Sequence, residues 1–221
     1  MVIMKLVIGD KNYSSWSMRP WVLMTHFGLP FEEVLIELDQ PGTKDAILAF
    51  SSSGKVPCLV TDEAVAVWDS LAIAETLAER FPQHAMWPRD ANVRAQARSV
   101  SAEMHSGFGE LRTHMPMAIR TIKPGAGATP GALADVARID ALWCACLDAS
   151  GGPFLFGEFS IADAMFAPVV MRFNSYQPTL SAQAAAYAQR VTALPAVAAW
   201  IDAARRETHR IGHDELDDSA A

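Results

Sequence analysis

Asn12-Tyr13-Ser14-Ser15-Trp16-Ser17-Met18-Arg19-Pro20 joins an apolar run, Leu6-Val7-Ile8, to a helical pattern carrying Trp21, Val22, Met24 and Phe27. Residues 4–8 read as a buried strand and 17–28 as a helix, closed by Gly28 with Pro30 just beyond. Hydroxyl-bearing residues therefore sit where a strand hands over to a helix. A helix N-terminus offers unpaired N–H donors and a partial positive charge, which suits an anion. Pro20 is expected in the first turn, where its missing N–H costs nothing. Ser14 and Ser15 have two readings there, as helix caps or as donors to a bound anion.

Working outward, Glu32 to Glu37 alternates around Val34 and Ile36 as a second strand, and Asp39-Gln40-Pro41-Gly42 reads as a turn before a short helix at 43–50. Cys58-Leu59-Val60 and Ala64-Val65-Ala66-Val67 flank Thr61-Asp62-Glu63 as a hairpin. Asp69 can cap the next helix, where Ile73, Leu77 and Phe81 recur every four residues until Pro82. The first eighty residues thus read βαβαββα, an α/β unit assigned to residues 1–82.

Pro82 to Pro88 is the expected linker, and residues 88–221 read as all-helical. Val93, Ala97, Val100, Met104, Phe108, Leu111 and Met115 form one long amphipathic stripe ended or kinked by Pro116. Lys123 to Gly131 reads as a flexible connection, and further helices are expected at about 132–149, 182–192 and 195–206. Ser160-Ile161-Ala162-Asp163 opens another, with Asp in place of the usual Glu or Gln of a capping box. The acidic tail, Asp214 to Ala221, is expected to fray.

The 221 residues are 51% hydrophobic and 19% charged, as in a globular chain. Such a length buries about 70–75% of the unfolded surface, so no disulfide staple is needed. The net charge of −7 is dispersed, with no Lys/Arg block, which argues against a nucleic-acid surface. Cys58, Cys144 and Cys146 form no C-x-x-C pair, and no histidine lies at ligand spacing from the last two. Buried free thiols and no metal are expected. Met1 to Ile8 is too short for a signal segment, and Asp163 interrupts the longest apolar run. No membrane association and a cytoplasmic location are expected.

Three features fall in one α/β unit: hydroxyls before the first helix, Val56-Pro57 before the third strand, and Asp69-Ser70 after the fourth. A cis Val56-Pro57 bond would turn the Val56 backbone toward a groove, whereas a trans proline would simply open an edge strand. Asp69-Ser70 reads either as a cap or as a ligand-binding pair. Together the three make the chain resemble a cytosolic glutathione transferase over nearly its whole length. Ser14-Ser15-Trp16-Ser17-Met18-Arg19 resembles the zeta-class signature Ser-Ser-Cys-x-x-Arg, and Ser160 with Asp163 matches the capping box of the family's helical domain.

The resemblance implies a thioredoxin-like domain followed by an all-helical domain that contributes an electrophile pocket. It implies glutathione as cosubstrate, a hydrophobic electrophile as second substrate, a homodimer and a role in detoxification. Ser14 would steady the glutathione thiolate, with Ser15 as second choice. Val56, preceding Pro57, would pair with the cysteinyl backbone; Ser70 would hold the γ-glutamyl carboxylate, Asp69 its amine, and Lys44 the glycyl carboxylate. The acceptor pocket is expected between the domains, against the helix bearing Met104 and Phe108. Trp16 stands where the zeta motif has cysteine, which counts against isomerisation of maleyl compounds. A glutathione-dependent isomerase, a peroxidase and a non-catalytic glutathione-binding protein are the other readings of the same fold.

Overall fold

The computed structural model describes residues 3–215. Strand β1 (Met4–Ile8) is apolar because it lies inside the sheet, with Leu6, Val7 and Ile8 fully buried. It pairs in parallel with β2 (Phe31–Leu35) and antiparallel with β3 (Cys58–Val60). β3 in turn pairs antiparallel with β4 (Ala66–Trp68), giving the order β2-β1-β3-β4. A parallel pair needs a crossover, and α1 (Ser15–His26) supplies it. With α2 (Thr43–Leu48) before β3 and α3 (Ser70–Arg80) after β4, the βαβαββα order is that of a thioredoxin-like domain.

Two details of α1 differ from the sequence reading. It begins at Ser15, two residues early, so Pro20 lies beyond the first turn, inside the helix. Ser14 is the N-cap residue, but its hydroxyl caps no backbone N–H and donates to Ser17 Oγ at 2.7 Å instead.

The rest of the described chain is helical: α4 (Ala91–Ser106), α5 (Gly109–His114), α6 (Pro130–Ser150), α7 (Ile161–Tyr176), α8 (Ala182–Thr192) and α9 (Pro195–Arg206). The long stripe is therefore two helices. The break falls at Gly107-Phe108, where Phe108 is left-handed with φ 59°. A Cβ on Gly107 would meet the Glu103 carbonyl at 2.8 Å. Arg112 then closes the end of α4, donating to the carbonyls of Met104, His105 and Gly107. Met104, Phe108, Leu111 and Met115 are all buried, so the apolar phase runs straight through the break and conceals it. The connection at 123–131 is pinned rather than loose: Lys123 and Gly125 donate their N–H groups to the carbonyls of Ser175 and Tyr176.

Helix α7 is buried along almost its entire length and packs against α1, α4 and α8. A capping box starts it. Asp163, 0% exposed, accepts from Ser160 N and Oγ through one oxygen and from Leu155 N and Tyr187 Oη through the other. Cys58 and Cys146 are buried as read, while Cys144 is only half-buried, with its Sγ 3.2 Å from Ser181 Oγ. Of the acidic tail, residues 216–221 lie outside the described residues.

Burial pushes the Asp163 carboxyl up to about 6, against the hydrogen bonds that hold it down. An ordinary aspartate in the unfolded chain has already released its proton above about pH 4. Stability drawn from Asp163 is therefore greatest below pH 4 and falls as the pH rises through 6. Asp163→Ala strands several buried donors and is expected to cost at least about 3 kcal/mol at pH 7 by urea denaturation. The gap to the wild type should widen as the pH is lowered from 6 to 4.

Candidate active site

The loop between β1 and α1 is shaped from outside itself. The Glu207 carboxylate, just past α9, accepts the N–H groups of Lys11 and Asn12 at 2.7 and 2.9 Å. Arg120 N donates to Asn12 Oδ1 at 2.8 Å, and Arg120 Nη2 donates to Tyr13 Oη at 3.1 Å. Tyr13 in turn donates to Glu215 at 2.5 Å. Burial and then Glu215 push the Tyr13 phenol up, so it stays protonated at neutral pH. Its hydroxyl is committed away from the serines.

Ser14 and Ser15 are each 6% exposed and line one cavity of 540 Å³ together with Trp16, Leu38, Lys44 and Val56. The Ser14 proton is taken by Ser17 Oγ, which also accepts Gly9 N–H at 3.1 Å. Among the described residues the Ser15 hydroxyl has no hydrogen-bond partner. No side chain of the described residues caps α1; Ser15 N–H is taken by the Tyr13 carbonyl, which leaves the N–H groups of Trp16 and Ser17 to face a negative charge.

A second cavity of 510 Å³ is lined by Ser53, Pro57, Trp68, Asp69 and Ser70, and it shares Trp16, Lys55 and Val56 with the first. The Val56-Pro57 bond is cis. Asp69 does cap α3, its Oδ1 accepting from Leu71 N at 2.9 Å and Ala72 N at 3.3 Å. Its other oxygen lies 3.1 Å from Nε2 of His105 on α4. Burial pushes His105 down while Asp69 holds it up. Asp69 also adopts φ 75°, a left-handed backbone that costs a non-glycine residue about 1–3 kcal/mol. Cap and His105 contact together hold this conformation.

Ser14, Ser15, Lys44, Val56, Pro57, Asp69 and Ser70 thus line two neighbouring cavities that share Trp16, Lys55 and Val56. Met104 and Phe108 do not. Both are buried in the core, at 0% and 7% exposure, because the helical stripe they belong to faces inward. Lys55, Gln40, Trp68 and His105 went unnoticed in the sequence. Lys55 alone had a signal there, its place next to Val56-Pro57.

Family models for the glutathione S-transferase N-terminal domain and C-terminal domain match residues 13–80 and 94–203. The chain belongs to the glutathione S-transferase family. It is 28% identical to glutathione S-transferase GstB of Escherichia coli over 207 residues, 87% of this chain and 95% of that protein. It is 34% identical to a maleylacetoacetate isomerase of Pseudomonas aeruginosa over 102 residues, 45% of this chain and 47% of that protein. The structure of a glutathione transferase homologue from Burkholderia with bound glutathione superposes with a TM-score of 0.70 at 25% identity. That match covers 91% of this chain and 97% of the other. Family membership supports a glutathione-dependent activity. Among the described residues no helix is long and apolar enough to cross a membrane.

Tyr13→Phe tests whether the transferase loop is held as described. Loss of a hydrogen bond to a carboxylate is expected to lower stability by about 1.5–3 kcal/mol in chemical denaturation.

Proposed function

We propose that the chain is a glutathione S-transferase that holds the cosubstrate's sulfur as a thiolate through a serine hydroxyl at the mouth of α1. The observation that carries this is the start of α1 without a side-chain cap, with Ser14 and Ser15 in a cavity that shares Val56 with the neighbouring cavity lined by Ser70. Glutathione is proposed to span both cavities. Its γ-glutamyl end would lie at Asp69 and Ser70, its cysteinyl backbone at Val56 beside Pro57, and its glycyl carboxylate near Lys44.

The energetics suffice. A free thiol near pKa 8.5 is only a few per cent ionised at pH 7, and lowering it by about two units needs about 2.7 kcal/mol. A hydrogen bond from a hydroxyl to a charged acceptor supplies about 1.5–3 kcal/mol, and a helix N-terminus about 0.3–1 kcal/mol. The thiol proton leaves to water, and the serine keeps its own proton and only donates a hydrogen bond to the sulfur anion, so no catalytic base is required. The thiolate then forms a C–S bond at an electrophilic carbon of an apolar small molecule seated against Trp16 and Leu38. That carbon's bond to its leaving group breaks, releasing the group as an anion such as chloride from a chloronitrobenzene. Ser15 is free to donate as it stands, whereas Ser14 must first turn its proton away from Ser17. A homodimer in the cytoplasm belongs to the same reading and rests on family membership.

The likeness to maleylacetoacetate isomerases favours a second reading, a glutathione-dependent isomerase on the same site. Trp16 in place of the zeta cysteine counts against it. Turnover of a maleyl substrate, a chloronitrobenzene and an organic hydroperoxide separates isomerase, transferase and peroxidase.

An ultraviolet pH titration of bound glutathione tests the activation step. The bound thiol should ionise about two units below free glutathione. Ser15→Ala should raise that midpoint by at least about one unit, Ser14→Ala by less, and Tyr13→Phe not at all. If neither serine variant moves it, serine has no part in the mechanism.

A further inference from the structure

Arg19 lies on α1 and is 2% exposed. Its Nη1 donates to Ser70 Oγ at 3.2 Å, while Nε and Nη2 are buried with no hydrogen-bond partner among the described residues. Its guanidinium sits 4.2 Å from the centre of the Trp16 ring, which separates it from the cavity. Arg112 lies over the same indole at 4.8 Å. Arg112 and Arg172 both oppose the Arg19 charge, and Asp69 is the carboxylate that favours it. That carboxylate is occupied by the α3 N-terminus and His105.

A guanidinium does not give up its proton inside a protein, so this charge persists. A buried charge without a paired carboxylate lowers stability relative to an apolar side chain of similar volume. Among the described residues the guanidinium of Arg19 makes one hydrogen bond, to Ser70, which lines the candidate site. Ser70 Oγ accepts from Arg19, which leaves the hydroxyl's single proton to be donated elsewhere. Ser70 lines the cavity and is the first residue of α3. Leu71 and Ala72 N–H are taken by the Asp69 side chain, and Ile73 N–H by the Asp69 carbonyl. Among the described residues the N–H of Ser70 has no such partner. The Ser70 hydroxyl proton and N–H thus lie together in the first turn of α3 at the cavity wall, with the buried Arg19 cation hydrogen-bonded to the same hydroxyl from behind.

We propose that Arg19 is a positioning residue that acts through Ser70 to make this subsite select a free carboxylate on the peptide's γ-glutamyl end. The inference rests on the glutathione reading above and adds a specificity rule to it. Arg19 never touches the ligand. It orients the Ser70 hydroxyl outward and supplies the charge that the carboxylate completes. The bound anion thereby repays a stability deficit carried by the free protein.

The test compares binding of glutathione with that of 4-aminobutyryl-cysteinyl-glycine, which keeps the amine and lacks the carboxylate, by isothermal titration calorimetry. The wild type should prefer glutathione by roughly tenfold or more. Arg19→Met should reduce this preference to about twofold or less, chiefly by weakening glutathione. Arg19→Lys, which keeps the charge, should retain an intermediate preference. Free Arg19→Met should melt no lower than the wild type and show a smaller glutathione-induced rise in Tm. A merely structural Arg19 predicts the reverse: a lower Tm and equal weakening of both peptides. Equal weakening, or a preference undiminished in Arg19→Met, overturns the proposal. If Arg19→Met does not fold, a preference in Arg19→Lys equal to that of the wild type overturns it. Absence of glutathione binding by the wild type is a different failure, that of the functional reading itself.

Discussion

The Asp163 carboxylate, sealed from solvent and accepting hydrogen bonds from Ser160, Leu155 and Tyr187, fixes the point where α7 begins. Helix α7 is the buried axis of the molecule, and α1 packs directly on it. The serines, Trp16 and Arg19 are all carried by α1 or its N-cap position. A shift in the start of α7 would displace the apolar surface on which α1 rests. One buried acid thus fixes the start of the helix against which the first helix of the thioredoxin-like domain packs. Such an acid is tolerated only because each of its oxygens is fully used.

The cleft is organised by charge as much as by shape. Two helices, α1 and α3, begin on its walls and lend it their positive ends. Asp69 serves the helix it caps and also reaches His105 on α4, so a contact between domains steadies the strained backbone before Ser70. Arg112 has a similar double role. It closes the carbonyl end of α4 and covers the face of Trp16. Lys44 and Lys55 border the serine-bearing cavity, so positive charge is found near both ends of the proposed tripeptide site. Tyr13 shows how tightly roles are divided. A phenol sits beside the serines, yet Glu215 and Arg120 hold its hydroxyl in a separate network.

Much of this was legible in the chain. Alternating and fully apolar runs gave β1 to β4 within two residues or so, since burial on a pleated sheet imposes a period of two. Asp69 and Ser160 announced helix starts because short polar side chains satisfy first-turn N–H groups. Ser14 looks the same in sequence and does something else: its hydroxyl donates to Ser17 Oγ and caps no backbone N–H. The break at Gly107 was hidden as well. Apolar spacing records which face is buried, and here that face continues across the interruption.

The sequence by itself determined the order of elements in the thioredoxin-like domain and the family. Those follow from local patterns, in which a residue's neighbours in the chain are its neighbours in space. The tertiary structure alone decided which hydroxyl is free, where Arg19 points, and what shapes the loop at Tyr13. Arg19 meets Ser70 across 51 residues, and Lys11 meets Glu207 across 196. Hydrogen bonds over such separations leave no periodicity to read. They exist because α1 packs against both α3 and α9, and only then does each buried donor find its acceptor.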